Sequence, residues 1–286
     1  MSIINAINPL NYRSVVSFNF DKITNQELWD IRIINFYNDL IKHPIDKKFI
    51  GIRVNINEDS EFMIKLNVDD INFDKINKFY QNCCKFINLK SFYYEYLEKI
   101  YHFKGDTNIN ININNIIVPI QPNSFIQANH QMGNILYKEI MNIIKPNEKL
   151  IVYGRNSYHI ASQIYKNFKE ILCINPCEIA NSDGLQLIRL HNFFWSTIKS
   201  KIALIDHINS SDENTTIIIS PGRGGYCYFD QINKEKFRNK QFIYITCNEE
   251  SFIKNIKKDF NIKNNIMIEL FPGTKFNEHI VELELI

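Results

Sequence analysis

In an open α/β sheet, ligands gather at the carboxyl ends of the strands, so the residues just after each short apolar run are the first places to look for chemistry. The run Phe242 to Thr246 ends in Cys247-Asn248, and Thr216 to Ile219 ends in Ser220-Pro221-Gly222-Arg223-Gly224. The last loop reads Phe271-Pro272-Gly273-Thr274-Lys275-Phe276-Asn277-Glu278. These stretches offer a thiol that is nucleophilic once ionised, a guanidinium that favours nearby anions, and a carboxylate able to take a proton. Each also has a purely structural reading. A cysteine closing a buried strand is commonly a small core hydrophobe, and Glu278, with Glu282 and Glu284 close behind, reads equally as a solvated loop carboxylate. Gln127 suits a helix cap near Asn129, and Arg223 suits a surface position after a glycine turn.

The elements that must position these groups fall into two patterns. Val15 to Phe20 reads as a strand. Thr24 and Glu27 have capping-box spacing ahead of Trp29, Ile33, Phe36, Tyr37 and Leu40 at helical intervals. Alternation at Ile50, Ile52, Val54, Ile56 and at Phe62, Ile64, Leu66, Val68 predicts a hairpin turning at Asn57 to Ser60, followed by a helix carrying Phe73, Ile76, Phe79, Cys83 and Phe86. That order predicts an α+β module over residues 1–118, with helices on one side of an antiparallel sheet. The Asn/Ile tract from Asn108 to Asn115 is either a β-hairpin or a linker. Beyond Pro122 the rhythm changes. A helix with Met132, Ile135, Leu136, Ile140 and Ile143 is followed by short, nearly continuous apolar runs at Leu150 to Tyr153, Glu170 to Ile174, Thr215 to Ser220 and Gln241 to Cys247. Such runs belong to a parallel sheet covered on both faces. Ile266 to Phe271 and His279 to Ile286 predict an antiparallel closing pair. Residues 119–286 are therefore expected to form a doubly wound α/β domain of the methyltransferase type.

Composition sets the outer bounds. With 45% apolar and 22% charged residues in 286, the chain is an ordinary globular protein, which excludes disordered, collagen-like and coiled-coil readings. A net charge of +2 gives no bulk attraction to phosphates, so any nucleic-acid contact must come from local clusters such as Lys42, Lys47 and Lys48, which read otherwise as a solvated loop. No apolar run approaches the ~18 residues of a membrane helix, and Met1 to Leu10 has no signal-peptide pattern. The six cysteines show no zinc-knuckle spacing, so reduced thiols, no metal and a reducing intracellular compartment are expected.

In its ordered motifs the sequence resembles the RNA uracil-5-methyltransferases, which make 5-methyluridine in transfer and ribosomal RNA. Pro122-Asn123-Ser124-Phe125-Ile126-Gln127-Ala128-Asn129 is similar to that family's Pro-Asn-Ser-Phe-Phe-Gln-x-Asn segment. Tyr244 to Asn248 is similar to its Tyr-x-Ser-Cys-Asn-Pro strand, and Phe271 to Glu278 to its Phe-Pro-x-Thr-x-x-x-Glu motif. The resemblance implies a Rossmann-like domain, S-adenosylmethionine as cofactor and RNA as partner. It implies Cys247 as the nucleophile that adds to carbon 6 of uracil and Glu278 as acceptor of the carbon 5 proton, with Arg223 flanking the site and Asn248 supporting either the strand end or the base. Gln127, Tyr153, Asn175 and Ser220 fall at the family's cofactor positions.

The cofactor half departs from the pattern. Where the family has Tyr-Cys-Gly-x-Gly this chain has Tyr153-Gly154-Arg155-Asn156-Ser157, so Arg155 must swing out or block the ligand. Asn175 and Ser220 replace acidic residues, and the loss of each charged acceptor costs on the order of 1–3 kcal/mol. Two outcomes are compatible with this: an enzyme with a rebuilt cofactor pocket, or a non-catalytic RNA-binding or assembly subunit that kept the fold.

Overall fold

The computed structural model describes residues 1–22, 25–253, 256 and 258–286. Within these the chain forms two units, Asn8–His130 and Met1–Ile7 with Gln131–Ile286. The sequence places the division near residue 118; the contacts place it after His130 and assign strand β1 (Ser2–Ile4), which has no apolar pattern of its own, to the C-terminal unit.

The Asn8–His130 unit is built on β2 (Val15–Asn19), α1 (Ile31–Leu40), β3 (Phe49–Ile56), β4 (Glu61–Val68), α2 (Phe73–Phe86), β5 (Asn88–Tyr96) and β6 (Lys99–Gly105). Helix α1 starts at Ile31, where the Asp30 side chain caps it by accepting from the Arg32 amide. Thr24, one half of the expected capping box, lies outside the described residues. Trp29 precedes the helix and stacks on Phe18 at 5.3 Å. Asn72 caps α2 by accepting from the Lys75 amide, and Asp74 and Lys85 sit at the helix ends that favour their charges. The buried faces of the two helices (Ile33, Phe36, Leu40; Ile76, Phe79, Cys83) share one core with the sheet.

The sheet runs β2-β3-β4-β5-β6 and is not wholly antiparallel: β4 and β5 are parallel, because α2 carries the chain back to the start of the sheet. The Asn/Ile tract is the hairpin of the two alternatives. β7 (Ile109–Ile113) and β8 (Ile116–Ile120) pair through Asn114 and Asn115, both at positive φ, as a two-residue turn demands.

The C-terminal unit alternates helix and strand: α3 (His130–Ile143, from Gln131 onward), β9 (Lys149–Gly154), α4 (Ser157–Ile164), β10 (Glu170–Asn175), α5 (Glu178–His191), β11 (Ser196–Lys199), α6 (Ala203–Asn209), β12 (Thr215–Ser220), β13 (Phe242–Thr246), α7 (Glu249–Phe252), β14 (Phe260–Ile268) and β15 (Glu278–Leu285). The eight-stranded sheet has the order β1-β14-β15-β13-β12-β9-β10-β11. Strands β9 to β13 are mutually parallel, and β15 is antiparallel to both β13 and β14. This is the expected doubly wound sheet with an antiparallel end, and its strand order reverses between β9 and β12. Among the described residues no helix is long and apolar enough to cross a membrane, and there is no cluster of three or more potential metal ligands.

Candidate active site

The β13–β15 ladder positions the two groups with the most reactive chemistry. Its register runs from Phe242 opposite Leu283 to Thr246 opposite His279. The ladder ends there, so Cys247 follows the last paired residue of β13 and Glu278 precedes that of β15, and the Glu278 charge reaches the Cys247 thiol. Both residues are 8% exposed. Glu278 is therefore not a solvated loop carboxylate: burial pushes its pKa up to about 8, against the opposing pull of Arg223. Burial also pushes the Cys247 thiol up, Glu278 adds to the shift, and the Arg223 guanidinium opposes it by charge and by a hydrogen bond.

Three local devices hold this cluster. Gly222 and Gly225, both at positive φ, bracket Arg223-Gly224 in a turn closed by Gly225 N–H donating to the Gly222 carbonyl at 3.2 Å. Asn248 Nδ2 donates to the Arg223 carbonyl at 2.9 Å while its Oδ1 accepts from the Ser251 amide, capping α7. Both ends of that amide are engaged within the protein, which is the strand-supporting role of the two open to it. The Arg223 guanidinium lies 4.7 Å over the Phe276 ring. Phe276 is held in turn by Thr274, whose hydroxyl donates to the Phe271 carbonyl at 2.7 Å and accepts from the Phe276 amide at 3.2 Å. Sequence reasoning assigned no part to Phe276 or Thr274. The signal was the spacing of Thr274 from Phe276, which suits a hydroxyl-closed turn.

The other implied positions are distributed differently. Tyr153 and Ser220 end neighbouring strands, with Gly154 paired to Ser220. Gly154 has φ +141°, and a Cβ there would stand 2.2 Å from the Ser220 carbonyl oxygen, so the turn admits only glycine. Tyr153 is buried edge-on against Tyr226 at 4.7 Å, and Tyr226 donates to the Lys201 carbonyl at 2.9 Å. Arg155 is exposed, and its charge reaches the buried Tyr158 hydroxyl. Gln127 belongs to the Asn8–His130 unit, where the next residue, Ala128, accepts from Ser14 by its carbonyl.

Asn175 does not stand as the resemblance implies. It is 0% exposed, its Oδ1 accepts from Ser157 at 2.6 Å, and its Nδ2 donates to Thr197 at 2.6 Å. The amide is committed inside the domain, so it presents no acceptor to a ribose. The Gly154 position is set by the neighbouring Ser220 backbone; the β10 end does not fit the ribose contact of the family pattern. Replacing Asn175 by Asp is expected to lower stability by about 1–3 kcal/mol, since it buries a charge among hydroxyls arranged for an amide. It should not tighten S-adenosylhomocysteine binding. Thermal melting and calorimetric titration of the variant check both.

The sheet order defines a Rossmann-like α/β fold. In shape it is similar to the Pyrococcus abyssi tRNA (uracil-54, C5)-methyltransferase, crystallised with S-adenosyl-L-homocysteine, at TM-score 0.74 and 15% identity over 99% of this chain and 78% of that one. In sequence the chain resembles RNA methyltransferases. It is 25% identical over 197 residues to an uncharacterized RNA methyltransferase of Nanoarchaeum equitans, covering 64% of this chain and 41% of the relative. It is 23% identical over 184 residues to the tRNA (uracil(54)-C(5))-methyltransferase of Pyrococcus horikoshii, covering 60% and 41%. The chain thus spans about two fifths of the length of these curated relatives. No family model matches it.

Proposed function

We propose that this protein methylates carbon 5 of a uridine in RNA, with Cys247 as nucleophile and Glu278 as proton acceptor. The observation that carries the reading is a thiol and a buried carboxylate at the end of the β13–β15 ladder, close enough for the carboxylate charge to act on the thiol, with one guanidinium acting on both. Similarity to RNA methyltransferases supports the substrate class.

The electrostatics suggest how the pair works. Neighbouring anions in a desolvated site disfavour each other, so the pair carries at most one negative charge at a time. With Glu278 neutral and Arg223 beside the sulfur, the thiol gives its proton to solvent and the thiolate's electron pair makes the Sγ–C6 bond; the C5=C6 electrons move to carbon 5 and oxygen 4. S-adenosylmethionine, the donor the resemblance implies, supplies an electrophilic methyl group when bound. The sulfur is now a neutral thioether and no longer opposes ionisation of Glu278, which gives its own proton to solvent. The carboxylate then takes the carbon 5 proton, whose bonding electrons re-form C5=C6, and the C6–S bond breaks to return the thiolate. The target base must be out of its stack, because carbon 6 is closed to a thiol inside a helix.

Incubating the protein with a transfer RNA transcript and S-adenosylmethionine, then digesting to nucleosides, tests the reading. 5-Methyluridine is the expected product. The committed Asn175 amide favours a second reading, a non-catalytic RNA-binding subunit on the same fold. RNA binding with no methyl transfer and no covalent adduct would select it.

A further inference from the structure

We infer that the Asn8–His130 unit carries a separate docking pocket for the phosphodiester backbone of RNA, formed where the α1–β3 connection meets α2. This rests on the reading of the substrate as RNA.

The pocket encloses about 450 Å³, with Lys47, Lys75 and Lys78 on its walls and Phe49 and Phe79 among its lining. The α2 periodicity explains its composition. Positions 75, 78, 82 and 85 follow one helix face, on which the helix sets Lys75, Lys78, Asn82 and Lys85, while Ile76, Phe79 and Cys83 turn to the core. Lys85 donates to Asn82 at 3.2 Å along that face. The connecting loop adds Lys47, together with Asp46, the carboxylate partner of Lys75.

Charge accounting separates the members of this cluster. Lys42 pairs with Asp39 at 2.8 Å, Lys48 with Asp69 at 3.3 Å and Lys75 with Asp46 at 2.8 Å. Among the described residues, Lys47 and Lys78 have no carboxylate partner, and both are exposed. Residues 8–130 hold equal numbers of basic and acidic side chains, 14 of each, so the two unneutralised ammonium groups at this pocket belong to a unit with no net charge of its own. Lysine ammonium groups recognise phosphate oxygens as point charges, and their contacts release condensed counterions from the nucleic acid. The apolar side chains beneath them suit the sugar of the same strand. An extended polyanion can engage both cations through successive phosphates.

The experiment uses the full-length chain and a fluorescently labelled transfer RNA transcript, followed by anisotropy between 50 and 200 mM salt. The Lys47→Glu, Lys78→Glu double variant is expected to bind about tenfold more weakly, with the slope of log affinity against log salt flattened by about 2. The milder Lys47→Ala, Lys78→Ala pair should show the same flattening with a smaller loss. Lys99→Glu with Lys104→Glu, two exposed lysines on β6 of the same unit, controls for bulk charge. The inference is overturned if wild type does not bind, if the pocket variants match wild type, if the control pair loses as much, or if polyglutamate competes as well as RNA, which would assign the pocket to an acidic protein. Methyl transfer and adduct formation report independently on Cys247. Loss of chemistry with a pocket-dependent salt slope removes the proposed function alone, and intact chemistry with an unchanged slope removes the pocket alone.

Discussion

Replacing Cys247 by alanine is expected to remove methyl transfer, by roughly four powers of ten or more, while leaving the fold and RNA binding in place. No other thiol shares the position. Cys83 and Cys173 are buried in the cores, and neither follows β13. Serine at position 247 should fail almost as fully, because a hydroxyl ionises far less readily than a thiol in a site whose burial already opposes ionisation. The structural cost is that of one buried sulfur at the end of β13, about 1 kcal/mol. Initial rates of 5-methyluridine formation, with melting curves for each variant, measure both effects.

Replacing Glu278 by glutamine separates the two halves of the reaction. Addition at carbon 6 needs only the thiolate, so the covalent complex should still form. Removal of the carbon 5 proton needs the carboxylate, so turnover should fall by about 10²–10⁴ and the adduct should accumulate. The pH profile carries the same signature. With a pKa near 8 in the free protein, Glu278 is largely neutral at pH 7 and becomes a competent base as pH rises through about 8. Wild-type turnover should climb across that range, and the residual turnover of Glu278→Gln should lack the step.

Stability gives an independent readout of the same shift. The folded state holds the Glu278 proton more tightly than the unfolded chain, whose carboxyl titrates near 4.5. The stability associated with this group is therefore complete below 4.5 and is lost as pH rises from 4.5 to about 8, beyond which the loss is constant. At about 1.4 kcal/mol per unit, the loss amounts to a few kcal/mol. Glu278→Gln should be more stable than wild type at alkaline pH, and denaturant titration at pH 5 and pH 9 should show the gap widening between them.

Legibility in the sequence varied with the physics behind each element. The parallel strands β9, β10, β12 and β13 were readable because both faces are buried and their apolar runs are continuous. β11 and β1 were not, since Ser196–Lys199 and Ser2–Ile4 are short edge strands with exposed ends. The β5–β6 pair escaped because its turn uses Leu97 and Glu98 at positive φ, a conformation normally signalled by Asn or Gly. At the site, Cys247 and Glu278 were visible as residue types, but their proximity depends on the register of β15 against β13, which no local pattern encodes. The burial that raises Glu278 follows from that register. Asn175 was placed at the right strand end; what its type could not reveal is that Ser157 and Thr197 would claim both ends of its amide.

The most direct measurement is intact and peptide mass spectrometry of the protein after incubation with S-adenosylmethionine and a transfer RNA transcript bearing 5-fluorouridine. Fluorine at carbon 5 leaves no proton for Glu278 to take, so the account predicts a stable complex of protein, RNA and one methyl group, attached through the peptide that contains Cys247. Unmodified protein under conditions where the RNA is bound, or a linkage through any cysteine other than Cys247, would contradict it.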